Sequence, residues 1–146
     1  MTPETLFPYA NLAAMSGWLA LIASPLAPRA AQIVAALVVP LMLSIGYAAL
    51  VLAFWAGAPG GFDSLANVML LFTDPGVALA GWVHYLAFDL FVGAWIVRTA
   101  RAEGIAHAFL LPCLALTFLL GPAGYLTFTA LRGVRTLRLT MTGAAA

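Results

Sequence analysis

Residues 31–55 have the sequence AQIVAALVVPLMLSIGYAALVLAFW and contain no charged side chain. A helix of about 20 mostly apolar residues crosses the hydrocarbon core of a membrane, at about 1.5 Å of rise per residue. This run is long enough for one crossing, and Gly57 follows it closely. It therefore predicts a membrane-spanning helix.

The composition of the whole chain predicts the same environment. Of the 146 residues, 64% are hydrophobic and only 8% are charged, which is far outside the usual range of soluble proteins. The six basic residues are all arginines, and a net charge of +1 provides no basic surface for nucleic acid. We expect an integral membrane protein whose partners are membrane lipid and hydrophobic small molecules, with no nucleic acid and with its oligomeric state open.

Three further runs have the length of a membrane span. Between the second and third of the four runs, residues 64–73 are apolar but too short to cross, which indicates a short interfacial or re-entrant helix. Asp63 and Ser64 are candidate caps of that helix, and Asp74 followed by Pro75 is typical of a helix start. The prediction is an all-α membrane protein with one domain, residues 1–146, built as a bundle of four transmembrane helices: residues 6–24, 31–55, 75–99 and 105–131.

The arginines do not settle the orientation of this bundle. Cytoplasmic loops carry an excess of arginine and lysine, but four crossings would divide the arginines three against three, with Arg132, Arg135 and Arg138 opposite Arg29, Arg98 and Arg101. The first residues carry one acid and no arginine, so we expect neither a signal peptide nor a transit peptide. The alanine-rich, lysine-free composition favours a bacterial inner membrane.

Two ionisable residues, His84 and Asp89, fall inside the third predicted span. Such residues are costly in a membrane and are functional candidates by default. A helix advances by about 100° per residue, so these two side chains diverge by about 140°. Tyr85 precedes Asp89 by four residues and is the better local partner for the carboxylate.

The same helical geometry sorts the span into two stripes. One contains Trp82, Tyr85 and Asp89, and the other contains His84 and Phe88 with Trp95. A structural interpretation remains open for each stripe. His84 could be a histidine whose hydrogen bonds are made within the helix bundle, and the aromatic residues could be part of the packed core. Asn11 in the first span is placed to reach a polar site, whereas His107 fits an interfacial position.

The chain lacks the residues for a metal centre. Its only cysteine, Cys113, lies in an apolar run, and two histidines on different spans with one aspartate are too few ligands. We therefore predict no metal and no cofactor.

A set of motifs resembles the abscisic acid-deficient 4-like family of small membrane proteins. The resemblance covers about Leu71 to Leu126, and its most specific part is Trp-x-His-x-x-x-x-Asp within one span. The motifs are Phe72-Thr73-Asp74-Pro75, Gly81-Trp82-Val83-His84, Phe88-Asp89-Leu90-Phe91 and Gly121-Pro122-Ala123-Gly124.

The resemblance implies carotenoid chemistry. Plant members of the family are required for forming neoxanthin from violaxanthin, which rearranges a carotenoid epoxide into an allenic alcohol, whereas many bacterial relatives have no assigned role. We expect an isomerase-like or modifying enzyme acting on a carotenoid or another isoprenoid, with His84 as base and Asp89 as acid or orienting carboxylate. The expected substrate-binding residues are Trp82, Tyr85, Phe88, Trp95 and Asn11.

Two alternatives remain open. The first is a non-catalytic protein that binds a pigment or lipid, or that supports assembly of a membrane complex. The second is a small proton-linked transporter with Asp89 as the coupling carboxylate, which is less favoured because the spans hold one strong acid and no inverted repeat.

Overall fold

Six helices make up the part of the chain that the structure describes. It is a computed structural model that describes the backbone of residues 2–143 and the side chains of residues 2–137. No strand occurs within this range, so the all-α prediction is confirmed. The helices are α1 (Pro3–Ile22), α2 (Pro28–Gly57), α3 (Leu65–Leu71), α4 (Pro75–Ala102), α5 (His107–Leu120) and α6 (Pro122–Gly143).

Three of these helices, α1, α2 and α4, are long and apolar enough to cross a membrane. Only 17% of the most apolar window of α2 is buried within the protein. Large apolar side chains are exposed on α1 and α2, with Leu12 and Leu52 at 69% and 85% exposure. Because exposing so much apolar surface to water is unfavourable, these faces are suited to lipid.

The predicted caps Ser64 and Asp74 are confirmed at the starts of α3 and α4. Asp63, the other candidate, accepts hydrogen bonds from the Asn67 side-chain amide instead. The Ser64 hydroxyl accepts the Asn67 backbone N–H at 3.2 Å. At α4, one Asp74 carboxylate oxygen accepts the backbone N–H groups of Gly76 and Val77 at 2.8 and 3.0 Å. Pro75 lacks the N–H that would otherwise need a partner at the first position. The predicted short helix before the third span is α3, which is also confirmed.

The run predicted as the fourth span is divided in two by Gly121. The φ angle of Gly121 is 43°, a backbone conformation that residues with side chains rarely adopt. Gly124 then allows α5 and α6 to meet, because a Cβ atom there would clash with Thr117 and with the Cys113 carbonyl. The two helices form a hairpin in place of one continuous helix over residues 105–131, so four complete spans are not confirmed.

Arg132 in α6 forms an ion pair with Glu103, which lies directly after α4. The Arg132 Nε atom donates to both carboxylate oxygens at 2.9 Å. α6 therefore returns to the end of α4, which also carries Arg98 and Arg101. The predicted three-against-three division is wrong for Arg132, because the hairpin places Arg132 at the same end of α4 as Arg98 and Arg101. The side chain of Arg138 lies outside the described residues.

The chain forms two compact units with a boundary inside α4. The first extends to Phe91 and contains α1, α2, α3 and the first part of α4. The second begins at Val92 and contains the rest of α4 with the α5–α6 hairpin. A single domain over residues 1–146 stays a prediction.

Within the first unit, α1 and α4 run in the same direction and α2 runs opposite to them. Phe54, near the end of α2, packs against Gly76 at the start of α4. Tyr47, two turns earlier in α2, contacts His84, which lies later in α4. The last part of α2, the turn after it and α3 therefore surround the first half of α4.

Candidate functional site

Trp82 and Asn11 connect α4 to α1. The Trp82 Nε1 group donates a hydrogen bond to Asn11 Oδ1 at 3.0 Å. The Asn11 amide also donates to the Phe7 carbonyl at 2.8 Å, and the Phe7 and Trp82 rings lie 5.8 Å apart. The Tyr85 ring stacks on Trp82 at 5.4 Å. The structure thus brings together three predicted substrate-binding residues, and two of them hydrogen-bond to each other.

A cavity of about 240 Å³ lies beside His84. The imidazole is exposed on this side of α4, and its ring lies 5.5 Å from Tyr47 and 4.6 Å from Phe88. The rest of the wall is largely apolar and rich in aromatic rings, with Trp55, Phe62 and Phe72 contributing. His84 is therefore a titratable group on the wall of an aromatic cavity.

Asp89 lies on a different side of α4 from this cavity. Its exposure is only 9%, and its Oδ2 atom is buried without a hydrogen-bond partner. The Tyr85 side chain lies close enough to interact with this carboxylate, as the four-residue spacing predicts. Asp89 is not among the residues that line the His84 cavity. The two ionisable residues of α4 therefore face separate surroundings.

The two predicted stripes of α4 are confirmed by their ring contacts. Trp82 stacks with Tyr85 on one side, and His84 stacks with Phe88 on the other. Phe88 is 57% exposed, so it continues the apolar surface next to the imidazole. Trp95, which sequence reasoning groups with Phe88, lies in the second unit, where its ring contacts Tyr125 and Phe128 at 5.5 and 5.6 Å.

A second cavity of about 520 Å³ lies along α1 and the start of α4. Its wall includes Phe7 and Trp82, and Glu4 contributes the one charged side chain among the described residues that line it. The Asn11–Trp82 hydrogen bond lies next to this wall. No acid–base pair is present here, which makes the His84 cavity the better candidate for chemistry.

Four aromatic residues of the His84 cavity were not predicted as site residues from the sequence: Tyr47, Trp55, Phe62 and Phe72. One signal was available, because Tyr47 is the only tyrosine in the uncharged run of residues 31–55. Trp55 and Phe62 pack at 5.2 Å across the turn that follows α2. That contact depends on how the turn folds back, which local sequence patterns do not specify.

No group of three or more histidine, cysteine, aspartate or glutamate side chains that could hold a metal ion occurs among residues 2–137. The His84 cavity offers one imidazole and the Tyr47 hydroxyl as its groups able to exchange a proton. Both groups are able to transfer a proton to or from a bound molecule.

Comparison with protein-family models matches residues 5–128 to the family described as ABA DEFICIENT 4-like. The chain belongs to this family. The resemblance found in the sequence motifs is thereby confirmed, and the matched region of this ABA DEFICIENT 4-like protein contains Trp82, His84 and Asp89 together with Tyr47. Comparison with curated proteins and with solved structures gave no match.

Proposed function

We propose that this ABA DEFICIENT 4-like protein is a membrane enzyme that isomerises or otherwise modifies a carotenoid or another isoprenoid. The observation that carries the proposal is the position of His84, whose imidazole lies on the wall of a cavity formed mainly by aromatic and aliphatic side chains. Aromatic faces pack well against an unsaturated hydrocarbon. A titratable imidazole in such surroundings is suited to acting on one polar end of an apolar substrate.

The size of the cavity supports binding of one end of a long molecule. Pockets that enclose a drug-sized ligand have volumes of about 300–1,000 Å³, and the His84 cavity has about 240 Å³. One substituted ring fits this volume better than a whole polyene. The rest of the polyene would lie along the rings of Phe88 and Phe91, which are 57% and 47% exposed.

The proposed reaction needs no electron transfer. Opening an epoxide to an unsaturated alcohol breaks one C–O bond and one C–H bond, and it forms one O–H bond and one C=C π bond. The electron pair of the C–H bond becomes the π bond, and the electron pair of the C–O bond stays on oxygen. His84 would accept the proton from carbon and Tyr47 would supply a proton to oxygen; the proton on the imidazolium then passes to the tyrosinate and restores both residues. The buried Asp89 lies on the other side of α4, so it would orient the neighbouring Tyr85 side chain and would not contact the substrate.

The proposed location is the inner membrane of a bacterium, with α1, α2 and α4 as complete crossings. The support is the apolar surface of these helices and the alanine-rich, lysine-free composition. The α5–α6 hairpin would enter the membrane and leave it on the same side, because Arg132 pairs with Glu103 at the end of α4.

A non-catalytic pigment- or lipid-binding protein is the second candidate. The sparse polar groups of the His84 cavity favour it, since binding alone requires few of them. The two candidates differ in whether the bound molecule leaves the protein chemically changed.

Pigment analysis in a carotenoid-producing bacterial host separates them. We expect the wild type to accumulate a converted pigment and His84→Ala to lower the conversion rate by about 100-fold or more, which is the usual contribution of a general acid or base. Tyr47→Phe should lower the rate as well. Asp89→Asn, which keeps the shape of the side chain, should have a smaller effect on the rate and leave pigment binding intact.

The matched control is His107→Ala, which removes the other histidine from outside the cavity. Equal conversion by wild type and His84→Ala would exclude the catalytic role of His84. Unaltered pigment bound equally by both proteins would favour the binding protein instead.

A further inference from the structure

A second feature of the molecule lies in the other unit, at the end of α4. A groove of about 480 Å³ is formed between the segment after α4 and the middle of α6. Phe109 and Val134 on its wall are 63% and 51% exposed. Among the residues whose side chains are described, the groove is apolar apart from one guanidinium. Its main lining residues are Ile105, Ala106, Phe109, Leu131, Val134 and Arg135.

The charge around this groove is strongly positive. Glu103 is the only acid among residues 92–137, and both of its carboxylate oxygens accept from Arg132. Arg135 lies over Gly104, where a Cβ atom would come within 3.8 Å of its guanidinium. Arg98 and Arg101 add two exposed positive charges on the last turns of α4. The described part of the second unit thus contains four arginines and one carboxylate.

The hairpin places these arginines at one end of a membrane-spanning helix. α4 is long enough to cross the membrane, and α6 returns to its last residues through the Glu103–Arg132 ion pair. The residues before α4, in contrast, include Asp63 and Asp74, and no arginine occurs between Arg29 and Arg98. Because cytoplasmic segments of membrane proteins carry an excess of arginine, we infer that the arginine-bearing end of α4 lies at the cytoplasmic surface. The cytoplasmic leaflet is the one that attracts basic segments through its anionic lipids.

We propose that this groove binds an anionic phospholipid. The lipid phosphate would interact with the Arg135 guanidinium, and an acyl chain would lie against Phe109, Leu131 and Val134. An apolar groove beside an arginine matches a molecule that carries both a phosphate and a hydrocarbon chain. A soluble phosphate compound would use only one part of this surface.

Native mass spectrometry of the detergent-purified full chain tests the site. The protein is titrated with dioleoyl phosphatidylglycerol and, separately, with dioleoyl phosphatidylcholine. We expect wild type to prefer phosphatidylglycerol by about fivefold, the effect of about one arginine near an anionic surface. Arg135→Gln should remove this preference, whereas Arg135→Lys should retain most of it. Val134→Trp should weaken lipid binding by filling the groove.

Arg29→Gln is the charge-matched control, since Arg29 lies in the first unit and does not line the groove. It should keep the fivefold preference. Circular dichroism and size-exclusion profiles establish that each variant is folded. Equal loss of preference in Arg29→Gln and Arg135→Gln would overturn the proposal in favour of general surface attraction. Displacement of the lipid by equimolar glycerol phosphate would overturn the assignment of a lipid.

Discussion

The two compact units differ in where they hold their ionisable side chains. In the first unit, His84 and Asp89 lie within α4, a helix long and apolar enough to cross a membrane, with one on a cavity wall and the other buried. In the second unit, the described arginines and Glu103 lie at the end of α4 and on the part of α6 that returns to it.

This difference separates two uses of charge in a membrane protein. An ionisable group within a span is costly and is retained where it binds, reacts or holds helices together. Arginines at the membrane surface cost little, and they set orientation and attract anionic lipid. The first unit is therefore the candidate for chemistry, and the second is the candidate for anchoring. Four changes test this division, in order of decreasing expected effect.

The largest effect on stability is expected in the hairpin of the second unit. Gly124→Ala would place a methyl group against Thr117 and the Cys113 carbonyl, and such overpacking costs about 1–3 kcal/mol. We expect the free energy of unfolding to fall by about 3 kcal/mol, the upper part of this range, because backbone atoms cannot move aside. Reversible unfolding in mixed detergent micelles measures it.

Gly133→Ala is the matched control on the same helix, since a Cβ at Gly133 has no atom within 4 Å. It should be neutral or stabilise α6 by up to about 1 kcal/mol, because alanine is the better helix former. Equal destabilisation by the two substitutions would show that Gly124 is not a close contact.

The buried pair in the first unit should be the next most sensitive. Tyr85→Phe removes the hydroxyl that interacts with Asp89 and leaves the carboxylate, whose Oδ2 is already unpartnered, with less support. A buried polar group that loses its partner costs about 1–3 kcal/mol, and we expect about 2 kcal/mol in the same unfolding measurement. Tyr9→Phe removes a hydroxyl from a side chain that is 66% exposed, so it should change little. A neutral Tyr85→Phe would exclude the pairing.

The hydrogen bond between α1 and α4 should contribute a smaller amount. A double-mutant cycle of Trp82→Phe and Asn11→Leu isolates the interaction between these two side chains. We expect a coupling energy of about 1 kcal/mol, typical of one hydrogen bond. Strict additivity of the two substitutions would show that the bond does not stabilise the first unit.

The smallest effect is expected at the ion pair of the second unit, and it depends on pH. Hydrogen bonding from Arg132 lowers the pKa of Glu103. Because the folded pKa lies below the unfolded one, the pair stabilises the hairpin at neutral pH, and this contribution disappears as the pH falls through the lowered pKa. Thermal melting followed from neutral to acid pH should show this loss in wild type. Glu103→Gln should lack this component, and identical pH profiles for the two proteins would contradict it.

Several local features could be derived from the sequence alone. Long apolar runs predict the membrane helices because crossing requires a set number of apolar residues. The caps at Ser64 and Asp74 follow from residue types at helix starts, and the Tyr85–Asp89 pair follows from a spacing of four. The divergence of His84 from Asp89 follows from the same geometry, and the motifs around them identify the family.

Contacts between distant parts of the chain were decided only by the tertiary structure. Asn11 bonds to Trp82 across 71 positions, and Tyr47 and His84 meet across another helix pair. The ion pair between Arg132 and Glu103 places Arg132 at the same end of α4 as Arg101, whereas four crossings would place the two arginines on opposite sides of the membrane. Helical periodicity and capping act over a few residues, whereas these contacts depend on which faces pack and on where Gly121 ends a helix. The sequence by itself therefore determined the membrane environment and the family, and the tertiary structure decided what surrounds His84 and at which end of α4 Arg132 lies.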